Sequence, residues 1–153
     1  MGRIEDRLVE LGHPLPEVVP PVAAYIPAVV SGNLVFTAGQ LPMVQGKLLA
    51  TGKVPSQVSP EQAKELAQVS ALNALAAVKF AIGDLDRISR IVKVTGFIAS
   101  DADFSGHSAI NNGASEFLGA VFGDAGIHAR TTVGVSSLPL DAPVEVELIV
   151  EFS

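Results

Sequence analysis

A chain of 153 residues with 48% hydrophobic and only 17% charged side chains has the size and apolar content of one domain with a full core, and excludes intrinsic disorder. A net charge of −6, a single tyrosine, no tryptophan and no Lys/Arg cluster exclude the basic, aromatic-lined surface that nucleic acid requires. Without cysteine there is no disulfide, thiol nucleophile or thiolate metal site.

Residues 3–11 place Ile4, Leu8 and Leu11 on one side of a short predicted helix that Gly12 stops. Pro14, Pro16, Pro20 and Pro21 then remove amide donors, so residues 1–20 are expected to form an N-terminal arm before one domain over 21–153. The start has no basic region followed by an apolar one, so no signal peptide is expected. Residues 28–30 and 34–37 flank Ser31-Gly32-Asn33 and predict a hairpin, closed by Gly39-Gln40-Leu41-Pro42. Residues 43–58 hold a polar turn and another short strand.

Ser59-Pro60-Glu61-Gln62 is a helix start, with Ser59 as cap, Pro60 at the first position and Gln62 completing a capping box. The Ala- and Leu-rich run to Ile82 continues that helix, and Gly83 ends it. Residues 88–100 predict a strand with Val92, Val94, Gly96 and Ile98 on one face. A further helix is expected over 104–122, where Ile110, Ala114, Phe117, Leu118 and Val121 keep helical spacing. Two final strands, 129–137 and 144–152, flank a proline-containing loop. In the last, Val144, Val146, Leu148, Val150 and Phe152 face one way, and Glu145, Glu147, Ile149 and Glu151 the other. The order predicts an α+β fold with two helices packed on one face of a mixed sheet. The apolar runs look short and strand-like, well under the roughly 20 residues of a membrane span, so a cytoplasmic protein with no membrane partner is expected.

Common catalytic motifs are absent: no phosphate loop, no HExxH, no GxSxG. His13, His107 and His128 lack metal spacing and read as surface or structural side chains, so no metal is expected. Arg130 stands among small and β-branched neighbours in a strand, where a rigid guanidinium suits a bidentate grip on a carboxylate. The alternative is an exposed strand-edge arginine, which spacing alone favours. Glu145 could act as a general base if its surroundings raised its pKa. The alternative, again favoured by pattern alone, is a solvated face shared with Glu147 and Glu151.

Four stretches carry a likeness through their order and spacing: Tyr25 with Gly32-Asn33-Leu34-Val35-Phe36-Thr37-Ala38-Gly39-Gln40-Leu41-Pro42; residues 91–97 reaching Asp103-Phe104; Asn112 with Ser115-Glu116-Phe117; and Ala129-Arg130, Leu138-Pro139 and residues 144–147. Together, over about residues 20–153, they resemble the RidA/YjgF family of enamine/imine deaminases, also called L-PSP endoribonuclease-like. The resemblance implies a chorismate-mutase-like fold assembled as a homotrimer, with ligand sites between subunits. It implies that Arg130 binds the substrate carboxylate and Glu145 handles the attacking water, while Tyr25, Gly39, Asn112 and Pro139 line the site. Thr132, also a substrate-binding position, stands where the family often has cysteine, and Ala38 where it has serine. The segment before Asn112 is longer by about four residues, roughly one helical turn, and residues 1–20 are an addition.

The implied function is that of a 2-iminobutanoate/2-iminopropanoate deaminase-like hydrolase, converting reactive 2-imino or enamine acids to 2-keto acids and ammonia. No cofactor is expected, because a protonated imine is already electrophilic. The rivals are a non-catalytic protein holding a small carboxylate metabolite in the same pocket, and an endoribonuclease, which the acidic composition disfavours. If the last two strands formed a simple hairpin, Arg130 would oppose Glu151 and Glu145 would lie about 20 Å away. The pair is therefore expected to meet between subunits.

Overall fold

The computed structural model describes residues 2–21 and 23–153. Helix α1 (Arg3–Glu10) is followed by strands β1 (Ala28–Ser31) and β2 (Leu34–Thr37), a two-residue ribbon β3 (Met43–Val44) and β4 (Lys47–Leu48), and helix α2 (Pro60–Ile82). Strand β5 (Ile88–Ala99), helix α3 (His107–Phe122), and strands β6 (Ala129–Val135) and β7 (Val144–Phe152) complete the chain.

Local chemistry sets these limits. Ser59 Oγ accepts the Gln62 amide at 3.1 Å at the start of α2, and Gly83 ends the helix with φ 84°. α2 is long and apolar enough to cross a membrane by length and composition, where the sequence reading found only short apolar runs. Its apolar window is 61% buried inside the fold, and it serves as the core helix. α3 packs against α2 through Gly113, where a Cβ would stand 2.9 Å from the Lys64 carbonyl carbon.

The main sheet has the order β1-β2-β7-β5-β6 and is antiparallel except for the parallel pair β5–β6. Val144, Val146, Leu148 and Val150 are buried in the core with α2 and α3. The alternation read from the sequence of β7 therefore holds. The regular alternation read for β5 does not: the register shifts between Ile91 and Lys93, so Ile91 is buried and Val92 only partly so.

One expectation is corrected. The last two strands do not form a hairpin: β5 lies between them, and Glu151 pairs with Leu34 and Arg90 rather than Arg130. Alternation in β7 specifies which face each residue takes and says nothing about the neighbouring strand. The long apolar strand, with Ile91, Val94 and Ile98 fully or almost fully buried, takes the covered position between the two. The short helix expected over residues 3–11 is present as α1. α1 docks because Ile4 and Leu8 enter the same core as α2. The Asp86 carboxylate caps it, accepting the Ile4 amide at 2.8 Å and the Arg3 amide at 2.9 Å. Those two bonds, Ile4's first, hold the Asp86 carboxyl below its ordinary range.

Among the described residues no helix packs on the sheet face opposite α2 and α3. Registers align Val29, Phe36, Ile149, Lys93 and Ala129 in one row across it, and Glu145, Phe97 and Val133 in another. Val29, Phe36 and Val133 are 50%, 41% and 41% exposed, an apolar load that a sheet face in water does not ordinarily carry.

Candidate functional site

Arg130 lies on the edge strand β6, beside Val94 and on the helix side of the sheet. Its guanidinium is held by the first turns of α3. Nη1 donates to Asn112 Oδ1 at 2.8 Å and to Ser115 Oγ at 3.3 Å. Nη2 donates to Ser108 Oγ at 2.7 Å and to the Ser108 carbonyl at 3.2 Å. All four contacts are to uncharged groups, and among the described residues no carboxylate pairs with this cation.

Thr132 shares the face of Arg130. Its Oγ1 accepts Asn111 Nδ2 at 2.8 Å, while Asn111 Oδ1 is buried without a partner. Asn111 packs on Gly96, where a Cβ would stand 2.5 Å from the amide carbon. The structure thus gathers Arg130, Asn112 and Thr132 between β6 and α3.

Glu145 belongs to a second place, on the open face. Its carboxyl lies over Gly39, where a Cβ would stand 2.7 Å from Glu145 Cδ, so any side chain there would displace the carboxyl. Burial raises the Glu145 pKa above its ordinary value, and the nearby Glu147 charge raises it further. The Gly39 backbone is fixed from both sides. The Ala38 amide donates to the Pro27 carbonyl at 2.8 Å, and Gln40 exchanges backbone bonds of 2.8 and 3.0 Å with Val146. Asn73 of α2, buried, pins the next residues by donating to the Leu41 and Met43 carbonyls at 3.0 and 2.9 Å. Tyr25, 45% exposed, lines a small surface cleft with Pro27, Gly39 and Leu41. Pro139 opens the 3-10 turn Pro139–Asp141 that leads into β7.

The expected site residues therefore fall into two groups. Arg130 pairs with Val94 and Glu145 with Phe97, three residues apart on β5 and on opposite strands of it. That separates their Cα atoms by roughly 14 Å, in place of the 20 Å of the hairpin reading, and puts the side chains on opposite faces. Among the described residues no cluster of His, Asp and Glu converges to hold a metal.

Ser108, Ser115 and His128 were not read as site residues. A signal existed: Ser108, Asn112 and Ser115 recur at i, i+4 and i+7, one polar stripe on α3. His128 and Arg130 are likewise two apart, the spacing of one strand face.

The sequence pattern of a family described as "YjgF/chorismate mutase-like, putative endoribonuclease" matches residues 5–152. Protein TCP17 of Trypanosoma cruzi is 37% identical over 153 residues, covering 99% of this chain and 96% of that protein. The 2-iminobutanoate/2-iminopropanoate deaminase of Escherichia coli strain K12 is 33% identical over 128 residues, covering 84% and 87%. The crystal structure of protein Atu1372 from Agrobacterium tumefaciens, described as having unknown function, matches with TM-score 0.92 at 45% identity, covering 98% of this chain and 92% of that one.

Proposed function

The chain belongs to the YjgF/chorismate mutase-like family, and from that premise we propose that it hydrolyses reactive 2-imino or enamine acids to 2-keto acids and ammonia. The observation that carries the reading is Arg130: a cation tied down by four hydrogen bonds, every one to a neutral group. A fixed, unneutralised guanidinium is suited to a small carboxylate. The relative from Escherichia coli bears the name of a deaminase acting on substrates of this class.

In this reading Glu145, made more basic by burial, takes a proton from water as the oxygen attacks the imine carbon. The resulting carbinolamine collapses as Glu145 returns that proton to nitrogen: the C–N bond breaks, the C=O bond forms, and the remaining hydroxyl proton passes to the departing ammonia, which leaves as ammonium. Arg130 fixes the carboxylate and so the orientation of the C=N bond. Because the two groups lie on opposite faces of one sheet, each site joins Arg130 of one subunit to Glu145 of the next in a homotrimer. The exposed apolar row on the open face and the free edge of β6 are surfaces such an assembly would cover.

The test is ammonia release from freshly generated 2-imino acids of several side chains, with Arg130→Ala as control. The reading expects release above the spontaneous rate, lost in the variant. A protein that only rises in Tm with 2-keto acids and releases no extra ammonia is a binder, and the hydrolase reading falls.

A further inference from the structure

We infer that His128 and Ser115 are positioning residues for Arg130, linked to it by a one-way chain of hydrogen bonds. The chain begins at Gly126, whose carbonyl oxygen lies 2.6 Å from His128 Nδ1. A carbonyl only accepts, so Nδ1 carries a proton, and in the neutral ring Nε2 is left as an acceptor. Nε2 lies 2.8 Å from Ser115 Oγ and takes the serine's single proton. The serine oxygen is then left to accept, and it receives Arg130 Nη1 at 3.3 Å.

Each link has a structural cause. Gly126 is buried beneath α3, where a Cβ would stand 2.5 Å from the Leu118 carbonyl oxygen, so the carbonyl that starts the chain is held close under the helix. Ser115 sits inside α3, where a serine hydroxyl ordinarily turns back to a carbonyl of the preceding turn. The His128 ring offers a better acceptor and selects the rotamer that directs the oxygen toward β6. Ser108 and Asn112 hold the guanidinium from the other end of the same helical stripe. These four contacts fall on the two terminal nitrogens, and Nε–H is the donor without a partner among the described residues. The side of the guanidinium bearing Nε is therefore the one presented to an incoming carboxylate, and Ser115 with His128 keeps it there.

The existence of the chain is independent of any ligand; its consequence for binding rests on the proposed carboxylate grip. The experiment has two arms for that reason. In the first, protein labelled with 15N-arginine is examined by NMR without ligand. Arg130 should show separate, slowly exchanging Nη signals in the wild type, and Ser115→Ala should speed their exchange measurably, with Ser108 and Asn112 still in place. Unchanged Nη signals in Ser115→Ala overturn the inference, whatever happens to binding.

In the second arm, titration calorimetry with 2-ketobutyrate reads Kd. Ser115→Ala and His128→Phe should each weaken binding about tenfold. The double variant should be no weaker than either single one, because both act through one chain. His128→Gln, whose amide oxygen reaches the position of Nε2, should restore most of the affinity that His128→Phe loses. Additive losses overturn the chain even if each residue matters alone. Should Arg130→Ala itself leave binding intact, the carboxylate grip is wrong, and the NMR arm alone decides the positioning role. Tm within a few degrees of wild type identifies variants that remain folded.

Discussion

Arg130 and Glu145 are two charges placed in opposite ways. The guanidinium, on the sheet edge against α3, has four partners and no choice of orientation. The carboxylate, on the open face above Gly39, has no hydrogen-bond partner among the described residues and is pushed toward its neutral form by burial. Under the proposed reaction, the difference separates holding from proton transfer. A group that must orient a ligand is locked by neutral donors and acceptors that leave its charge intact. A group that must take and return a proton is left unsatisfied, so that its proton affinity rises toward neutrality.

The comparison is broken most strongly at Glu145. Glu145→Gln should lower kcat by about 10²- to 10⁴-fold, the usual worth of a positioned general base. It should also raise stability at neutral pH. With its folded pKa above the ordinary value, the stability this group contributes is present below about pH 4.5 and is lost as pH rises through the raised value. Glutamine mimics the protonated form, so Tm curves of the two proteins should coincide in acid and part toward neutral pH. Activity in the wild type should fall as pH drops through the same raised value. Glu147→Gln, which removes the second cause of the shift, should move that acid limb to lower pH. A Glu145→Gln protein that is less stable than wild type at neutral pH would contradict the desolvated carboxylate.

Arg130→Lys tests the other side. Lysine keeps the charge and loses the planar fork, so kcat/KM should fall by roughly 30- to 1,000-fold, or about 2–4 kcal/mol, nearly as far as with alanine. Near-normal kcat/KM in the lysine variant would mean that charge alone is read. Gly39→Ala sharpens the role of the open face. The new Cβ must displace Glu145, and a misplacement of about 1 Å costs on the order of 100-fold in rate. An active Gly39→Ala protein would show that the carboxyl over this glycine is not the working one. Tyr25→Phe should have the smallest effect, a few-fold loss of turnover at unchanged Tm, which is about the worth of one neutral hydrogen bond. Unchanged kinetics would assign the ring to packing.

Much of this was legible beforehand because it is local. Ser59-Pro60 fixed where α2 starts, and the strict alternation of residues 144–152 gave both faces of β7. The hairpin reading failed because neighbours in sequence are joined by a loop that says nothing about a third strand between them. β5 was read as a strand with no place in the order. The arginine was recognised from its strand and from family likeness. Of its cage, Asn112 came with the family likeness, whereas Ser108 and Ser115 carry no mark in the apolar periodicity of α3, which is set by Ile110, Ala114, Phe117, Leu118 and Val121. The polar stripe of Ser108, Asn112 and Ser115 runs along another face of the same helix. The Glu145 carboxyl, its pKa raised by burial and by Glu147, lies over Gly39, more than a hundred residues away, and no spacing along β7 encodes that contact.

The central claim is that a working site takes Arg130 from one subunit and Glu145 from another. Arg130→Ala and Glu145→Ala, each inactive alone, should be unfolded together in equimolar amounts and refolded, and mixed assembly verified by mass. In random trimers about a quarter of the interfaces combine an intact arginine with an intact glutamate, so about a quarter of wild-type ammonia release should return. Verified mixed trimers as inactive as either parent would contradict the shared site.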